Sequence, residues 1–68
     1  MKERFLQEFN IVKMCKSSLL LQNKKTGENV YIHRNAFNKL DMSVDYRIVR
    51  HEFMGGTAWI EVLCWESI

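Results

Sequence analysis

The chain has 68 residues, which is enough for one domain with one small core and too few for an elaborate active site. Nearly half of the residues are apolar, proline is absent and the net charge is +2, a composition that excludes a disordered chain. No apolar run approaches the roughly 20 residues of a membrane span and the start lacks a signal peptide, so we expect one cytoplasmic domain, residues 1–68, with no membrane partner.

The first half of the chain predicts three strands. "FNIVKMC" (residues 9–15) leans towards β structure, and "KERFLQE" before it fits either a strand or a helical turn. "SSLLLQ" (residues 17–22) predicts a second strand, and "NKKTGEN" after it has the Asn and Thr-Gly punctuation of a hairpin loop. "VYIHR" (residues 30–34) then returns as the third strand.

The second half predicts a short helix and a hairpin. In "NAFNKLDM", Asn35 stands in a capping position and Phe37 and Leu40 are three residues apart, which predicts one or two helical turns. The last two strands, "DYRIVRHEF" and "TAWIEVLCW", flank "MGG". Gly55 and Gly56 can take the positive φ values that a tight hairpin needs.

Five short strands with a helical turn between strands 3 and 4 predict an all-β fold. The pattern is typical of a small, partly open barrel of the OB type, and an SH3-like barrel is the competing architecture. Closing such a barrel removes most of the exposed strand edges that promote aggregation.

The basic residues concentrate in the first half of the chain. Residues 1–34 contain seven Lys/Arg and three Glu, whereas residues 35–68 contain three Lys/Arg and five Asp/Glu. This asymmetry predicts a basic face that favours a polyanionic partner. The alternative is an ordinary solvated surface with an accidental asymmetry.

The stretch "ENVYIHRNAF" resembles the "DVFVHFSAI" segment of cold-shock domains. "KSSLLL" lies where that family has its K-G-F-G-F-I motif, the loop from Gln22 to Asn29 has the family's typical length, and the match spans roughly residues 9–64. The resemblance implies a platform on which single-stranded bases stack. Tyr31 and His33 match its third-strand aromatic and histidine.

The resemblance also implies that Lys16 contacts a phosphate. The sequence departs from the family pattern at the second-strand aromatics, the motif glycines, the aromatic after the histidine and the first-strand tryptophan. Those positions hold Ser18, Leu20, Ser17, Leu19, Arg34 and Ile11. Stacking contributes about 1–3 kcal/mol per base. Because most of the family's stacking rings are missing here, we expect weak binding.

The first functional hypothesis is therefore a non-catalytic protein that weakly binds single-stranded RNA or DNA. Tyr31 and His33 would stack on bases, the lysines would contact phosphates, and Arg34 would stack or contact a phosphate. The alternative for Tyr31 and His33 is an amphipathic strand on a half-solvated face. The predicted nucleic-acid-binding residues are Lys16, Lys24, Lys25, Tyr31, His33 and Arg34.

The second hypothesis comes from the last strand, which alternation divides into two faces. One face is a predicted core face and holds Ala58, Ile60, Val62 and Cys64. The other is a predicted protein interface and holds Trp59, Glu61, Leu63 and Trp65. It would serve a protein target or a homodimer, as in a small interaction or inhibitor module, for instance a virus-encoded regulatory protein.

The alternative for this second face is a further apolar layer. In that interpretation the N-terminal segment, with Phe5, Leu6 and Phe9, covers the tryptophans. We then expect Trp59 to be buried and Trp65 to be partly exposed, because Trp65 lies near the chain end.

Catalytic and metal-binding functions lack a sequence signature. Cys15, Cys64, His33 and His51 have none of the paired spacings of zinc ligands, and the absence of CxxC suits reduced cysteines. There is no nucleophile elbow, phosphate loop or carboxylate pair in a recognisable context. We therefore expect no enzyme, no cofactor and no small-molecule substrate.

Overall fold

Five strands, two α-helices and a 3₁₀ turn follow one another in the computed structural model, which describes residues 2–66. The predicted five strands, the helix after the third strand and the mostly β character are confirmed. Asn35 does not cap that helix, because α2 begins at Arg34 with His33 at the N-cap position. The N-terminal segment, for which strand and helical turn were both open, is a helix. The elements are α1 (Lys2–Glu8), β1 (Phe9–Met14), β2 (Ser18–Asn23), β3 (Asn29–His33), α2 (Arg34–Lys39), the 3₁₀ turn (Leu40–Met42), β4 (Ser43–Glu52) and β5 (Ala58–Glu66).

The strands form one sheet in the order β1-β2-β3-β5-β4. Neighbouring strands are antiparallel except β3 and β5, which run parallel with Tyr31 opposite Trp59. Over residues 2–66 the sheet is open, and β1 and β4 are its two edges. We expected the barrel to close and remove the strand edges, but β1 and β4 do not pair with each other in the described residues.

The N-terminal helix packs at the open side of the sheet. Phe5 is fully buried, and its ring lies 4.8 Å from that of Phe9, 5.9 Å from that of Phe37 and 6.0 Å from that of Tyr46. Phe5 and Phe9 are four residues apart, so they project from the same side of the chain as it leaves the helix. The helix thereby covers apolar surface that strand pairing leaves open.

Two ion pairs fix α1 against the segment that leads into β4. The Lys2 Nζ lies 2.9 Å from an oxygen of Asp41, and an Nη of Arg4 lies 2.6 Å from Asp45 Oδ1. The hydrogen bond from Arg4 lowers the pKa of the Asp45 carboxyl. Both pairs are exposed, so they orient the helix more than they stabilise it.

This position of α1 corrects one interpretation of the sequence. The N-terminal segment does not cover the tryptophan face, because Phe5 and Phe9 belong to the main core and Leu6 packs against it. The error came from assigning the apolar N-terminal residues to the largest apolar surface without a known cover. The open side of the sheet competed for them and is where they lie.

The core follows the alternation of the strands. Val62 and Cys64 pack against the buried residues, so the predicted core face of β5 is confirmed. In the hairpin before β5, Gly55 and Gly56 have φ values of 89° and 80°, as predicted. The buried apolar residues are Phe5, Phe9, Leu19, Leu21, Val30, Ile32, Phe37, Leu40, Ala58 and Ile60.

Candidate nucleic-acid interface

Three aromatic rings meet on the face of the sheet opposite the core. Tyr31 and His33 are two residues apart on β3 and project to the same side. The parallel neighbour β5 places Trp59 between them: its ring centroid lies 5.1 Å from that of Tyr31 and 4.7 Å from that of His33, with 29° between the planes in each pair. We call Tyr31, His33 and Trp59 the aromatic cluster.

The cluster is held in place and yet accessible. Tyr31 and Trp59 are half-buried and His33 is exposed. Stacked aromatic pairs contribute about 0.5–1.5 kcal/mol beyond their buried area, so each ring restrains the others. A flat ligand would therefore meet rings whose side-chain entropy is already reduced, which lowers the cost of binding.

Trp59 is the member that sequence reasoning assigned elsewhere. Alternation correctly placed Trp59 on the non-core face of β5, but the sequence pattern grouped Trp59 with the predicted protein-interface residues of that face. Its contact with Tyr31 depends on the parallel pairing of β3 with β5, two strands that are separated in the chain by α2 and β4. Neither strand carries a local signal for that pairing.

Lysines lie at both ends of the β2–β3 ladder. Ser18 pairs with His33, so Lys16, in the turn before β2, lies near the histidine end of the cluster. Lys24 and Lys25 are exposed in the loop at the opposite end. The eight residues from Lys16 to Lys24 correspond to roughly 25 Å along a β-strand. A short single-stranded oligonucleotide can span that distance.

The loop that carries Lys24 and Lys25 is ordered by its own side chains. The Asn23 Oδ1 accepts hydrogen bonds from the backbone N–H groups of Lys25, at 2.8 Å, and Thr26, at 3.1 Å. The Arg50 guanidinium donates two hydrogen bonds to the Glu28 carboxylate, at 2.9 and 2.6 Å, and they lower the pKa of that carboxyl. Arg50 thereby offsets the negative charge of Glu28, which lies in the same loop as the two lysines.

Arg34 has a different environment from the one predicted. The third strand ends at His33, and Arg34 begins α2 instead of ending the strand. Its Nη2 donates to the Cys15 carbonyl at 2.6 Å, and its backbone N–H donates to the Ser17 carbonyl at 3.0 Å. Arg34 thus holds the turn that carries Lys16, and its contact with a phosphate stays a prediction.

A groove of about 660 Å³ opens beside Trp59. The residues that line it include His33, Asn35, Lys39, Phe53, Trp59 and Glu61. The His51 Nε2 lies 3.1 Å from Glu61 Oε1. The groove extends the aromatic cluster towards α2 and the β4–β5 hairpin.

The predicted protein interface divides into two parts. Trp59 belongs to the aromatic cluster and Glu61 lines the groove, whereas Leu63 and Trp65 lie farther along the same face, 42% and 52% exposed. The partial exposure of Trp65 agrees with the expectation from its place near the chain end. Trp59 is half-buried, but under Tyr31 and His33 and not under α1.

Among residues 2–66, no group of three His, Cys, Asp or Glu residues could hold a metal ion, and Cys15 and Cys64 are free thiols. None of the helices in this range has the length and apolar character to cross a bilayer. Comparisons of the chain with protein-family models, curated proteins and solved structures gave no significant match.

Proposed function

We propose that this protein binds single-stranded RNA or DNA, without catalysis, on the face of the sheet that carries the aromatic cluster. The observation that supports this most strongly is the contact of Tyr31, His33 and Trp59 on one accessible face. Base stacking on such rings contributes about 1–3 kcal/mol per base and tolerates any sequence. Lysines at both ends of the β2–β3 ladder supply the charge that a phosphate backbone requires.

We further propose an OB-like, cold-shock-like architecture in which α1 stands in for part of the strand pairing between β1 and β4. The five strands, the helix between β3 and β4 and the order of strands along the sheet support it. OB folds bind oligonucleotides on the face of strands 2 and 3 and with the loops between strands 1 and 2 and between strands 4 and 5. Here these elements carry Tyr31, His33, Lys16 and Phe53, and Trp59 is added from β5.

This arrangement compensates for missing rings on the second strand. Ser18 and Leu20, which hold the positions of family aromatics, are buried and half-buried and offer no ring. Trp59 supplies one from β5 instead, on the other side of β3. The proposed platform is thus displaced from β2–β3 to β3–β5.

A salt titration tests the electrostatic part of the proposal. The probe is a labelled strand of about eight uridines. For a single strand, the slope of log K against log salt is about −0.7 for each phosphate that is neutralised. We therefore expect a slope of about −2 for the three lysines. Lys24→Gln should make the slope shallower by about 0.7. Fluorescence anisotropy at several salt concentrations measures it.

Arg47→Gln is the matched control for this titration. Arg47 lies on the edge strand β4, opposite Leu63 of β5 and away from both groups of lysines. Its replacement should therefore leave the salt slope unchanged. A slope of zero for the parent protein, or equal changes in the two variants, would contradict the proposed path of the strand.

A second candidate function, capture of a protein partner or of a second copy, is favoured by the exposure of Leu63 and Trp65. Tryptophan is one of the residue types that are enriched at the hot spots of protein interfaces. We expect Trp65→Ser to abolish dimerisation or partner capture without lowering the melting temperature, since Trp65 is half-exposed. An unchanged elution volume and unchanged capture in the folded variant would exclude an interface centred there.

A further inference from the structure

We propose that the groove beside Trp59 receives one unstacked base of the bound strand and selects guanine through Glu61. This inference rests on the proposed function, because it needs a strand on the aromatic cluster. It adds a base preference and a residue that reads it. The cluster alone would stack any base.

The size and lining of the groove fit a nucleobase. Its volume of about 660 Å³ lies within the roughly 300–1,000 Å³ of small-ligand sites. Trp59 belongs both to the aromatic cluster and to the groove wall, so a base that leaves the stack of the strand can enter the groove beside the Trp59 ring. Phe53 supplies a further ring from the segment after β4.

The charge of Glu61 points to the ligand. A carboxylate beside a bound polyanion is repelled by it, so Glu61 weakens binding of a phosphate backbone unless it accepts hydrogen bonds from the base. An ionised carboxylate is an acceptor only, and it bonds best to two donors side by side. The favoured base is therefore one that presents two adjacent N–H donors.

Guanine presents that pattern on its Watson–Crick edge. Its N1–H and N2 amino group are neighbours, so both oxygens of one carboxylate can accept from them. In cytosine and adenine the amino group neighbours a ring nitrogen that is an acceptor, and in uracil and thymine a single N–H stands between two carbonyls. Each of these other bases would turn at least one lone pair towards Glu61.

The neighbours of Glu61 suit this role. The His51 Nε2 lies 3.1 Å from Oε1, which orients the carboxylate when that nitrogen carries the proton. A carboxylate has about four acceptor sites, so the contact with His51 leaves capacity for a base. Asn35 lines the same groove and brings an amide donor for which guanine O6 is an acceptor.

The test compares strands of about eight uridines that carry a single central guanosine, inosine, adenosine or cytidine. A bidentate contact discriminates by about 5- to 150-fold, so we expect the guanosine strand to bind at least several-fold more tightly than uridine alone. Inosine lacks the N2 amino group and should lose most of that gain. Adenosine and cytidine should gain little.

Glu61→Gln should remove the guanosine preference while the all-uridine strand binds as well as before or more tightly, because a repelling charge is lost. Glu52→Gln is the matched control: its carboxylate is exposed on β4 opposite Ala58, outside the groove, and its loss should leave the preference intact. Circular dichroism and thermal melts verify that both variants are folded.

The outcomes separate this inference from the proposed function. Equal binding of all strands, or a guanosine preference that persists in Glu61→Gln, would overturn guanine selection by Glu61 and leave strand binding intact. Failure of every strand to bind at low salt would overturn both.

Discussion

Replacing Phe5 with alanine lowers the free energy of unfolding by about 3–5 kcal/mol, the usual cost of removing a buried phenylalanine. Phe5 is fully buried and contacts the rings of Phe9, Phe37 and Tyr46, which come from three further elements. The cavity would open where the sheet has no strand pairing to close it. A loss of this size is a large share of the roughly 5–15 kcal/mol that holds a small domain folded.

Denaturant melts of the Phe5→Ala variant measure this loss. Phe53→Ala is the matched control, because Phe53 is 56% exposed and its removal should change the stability by only about 0.5 kcal/mol. Phe5→Leu keeps most of the apolar volume and should lie between the two. Equal midpoints for Phe5→Ala and Phe53→Ala would contradict the packing of α1 on the open side of the sheet.

Replacing Tyr31 with alanine weakens single-strand binding by about 1–3 kcal/mol, or about 5- to 150-fold, if a base stacks there. The loss has two sources, because Tyr31 also restrains the ring of Trp59 at a centroid distance of 5.1 Å. Tyr31→Ala and His33→Ala should therefore combine non-additively, as expected for side chains that share a partner. Anisotropy titrations of both single variants and of the double variant measure the coupling.

Trp65→Ala is the control for the two cluster variants. Trp65 lies six residues from Trp59 on the same strand, about 20 Å along it, and outside the aromatic cluster. Its removal should leave the affinity for a single strand unchanged. Unaltered binding in the Tyr31→Ala/His33→Ala double variant would remove the stacking platform from the account.

The strands and their two faces could be predicted because the signals are local. Alternation alone assigned Ala58, Ile60 and Val62 to the core face, and the pair Gly55-Gly56 marked the hairpin whose φ values require glycine. The pair Tyr31 and His33 likewise follows from the period of a strand. These features depend on residues within a few positions of one another.

The composition of the site could not be predicted in full because it depends on contacts that are distant in sequence. Trp59 reaches Tyr31 only through the parallel pairing of β3 with β5. Arg34 begins α2 because the strand ends one residue earlier than predicted, and its guanidinium reaches the carbonyl of Cys15. In both cases tertiary contacts, and not local propensity, determine the environment of the side chain.

The N-terminal segment illustrates the same limit. The spacing of Phe5 and Phe9 is compatible with a helix, but nothing near them in sequence tells which apolar surface they cover. Phe5 and Phe9 cover the open side of the sheet between β1 and β4, and that opening follows from the strand order.

The fluorescence of Trp59 tests the central claim most directly. The chain contains two tryptophans, so Trp65→Phe leaves Trp59 as the sole tryptophan emitter, placed within the aromatic cluster. On titration with a strand of about eight uridines at low salt, we predict saturable quenching of Trp59 emission that added salt reverses. Emission that stays unchanged up to about 1 mM strand, well above the roughly 10⁻⁴ M of weak non-specific binding, would contradict the proposal that bases stack on this face.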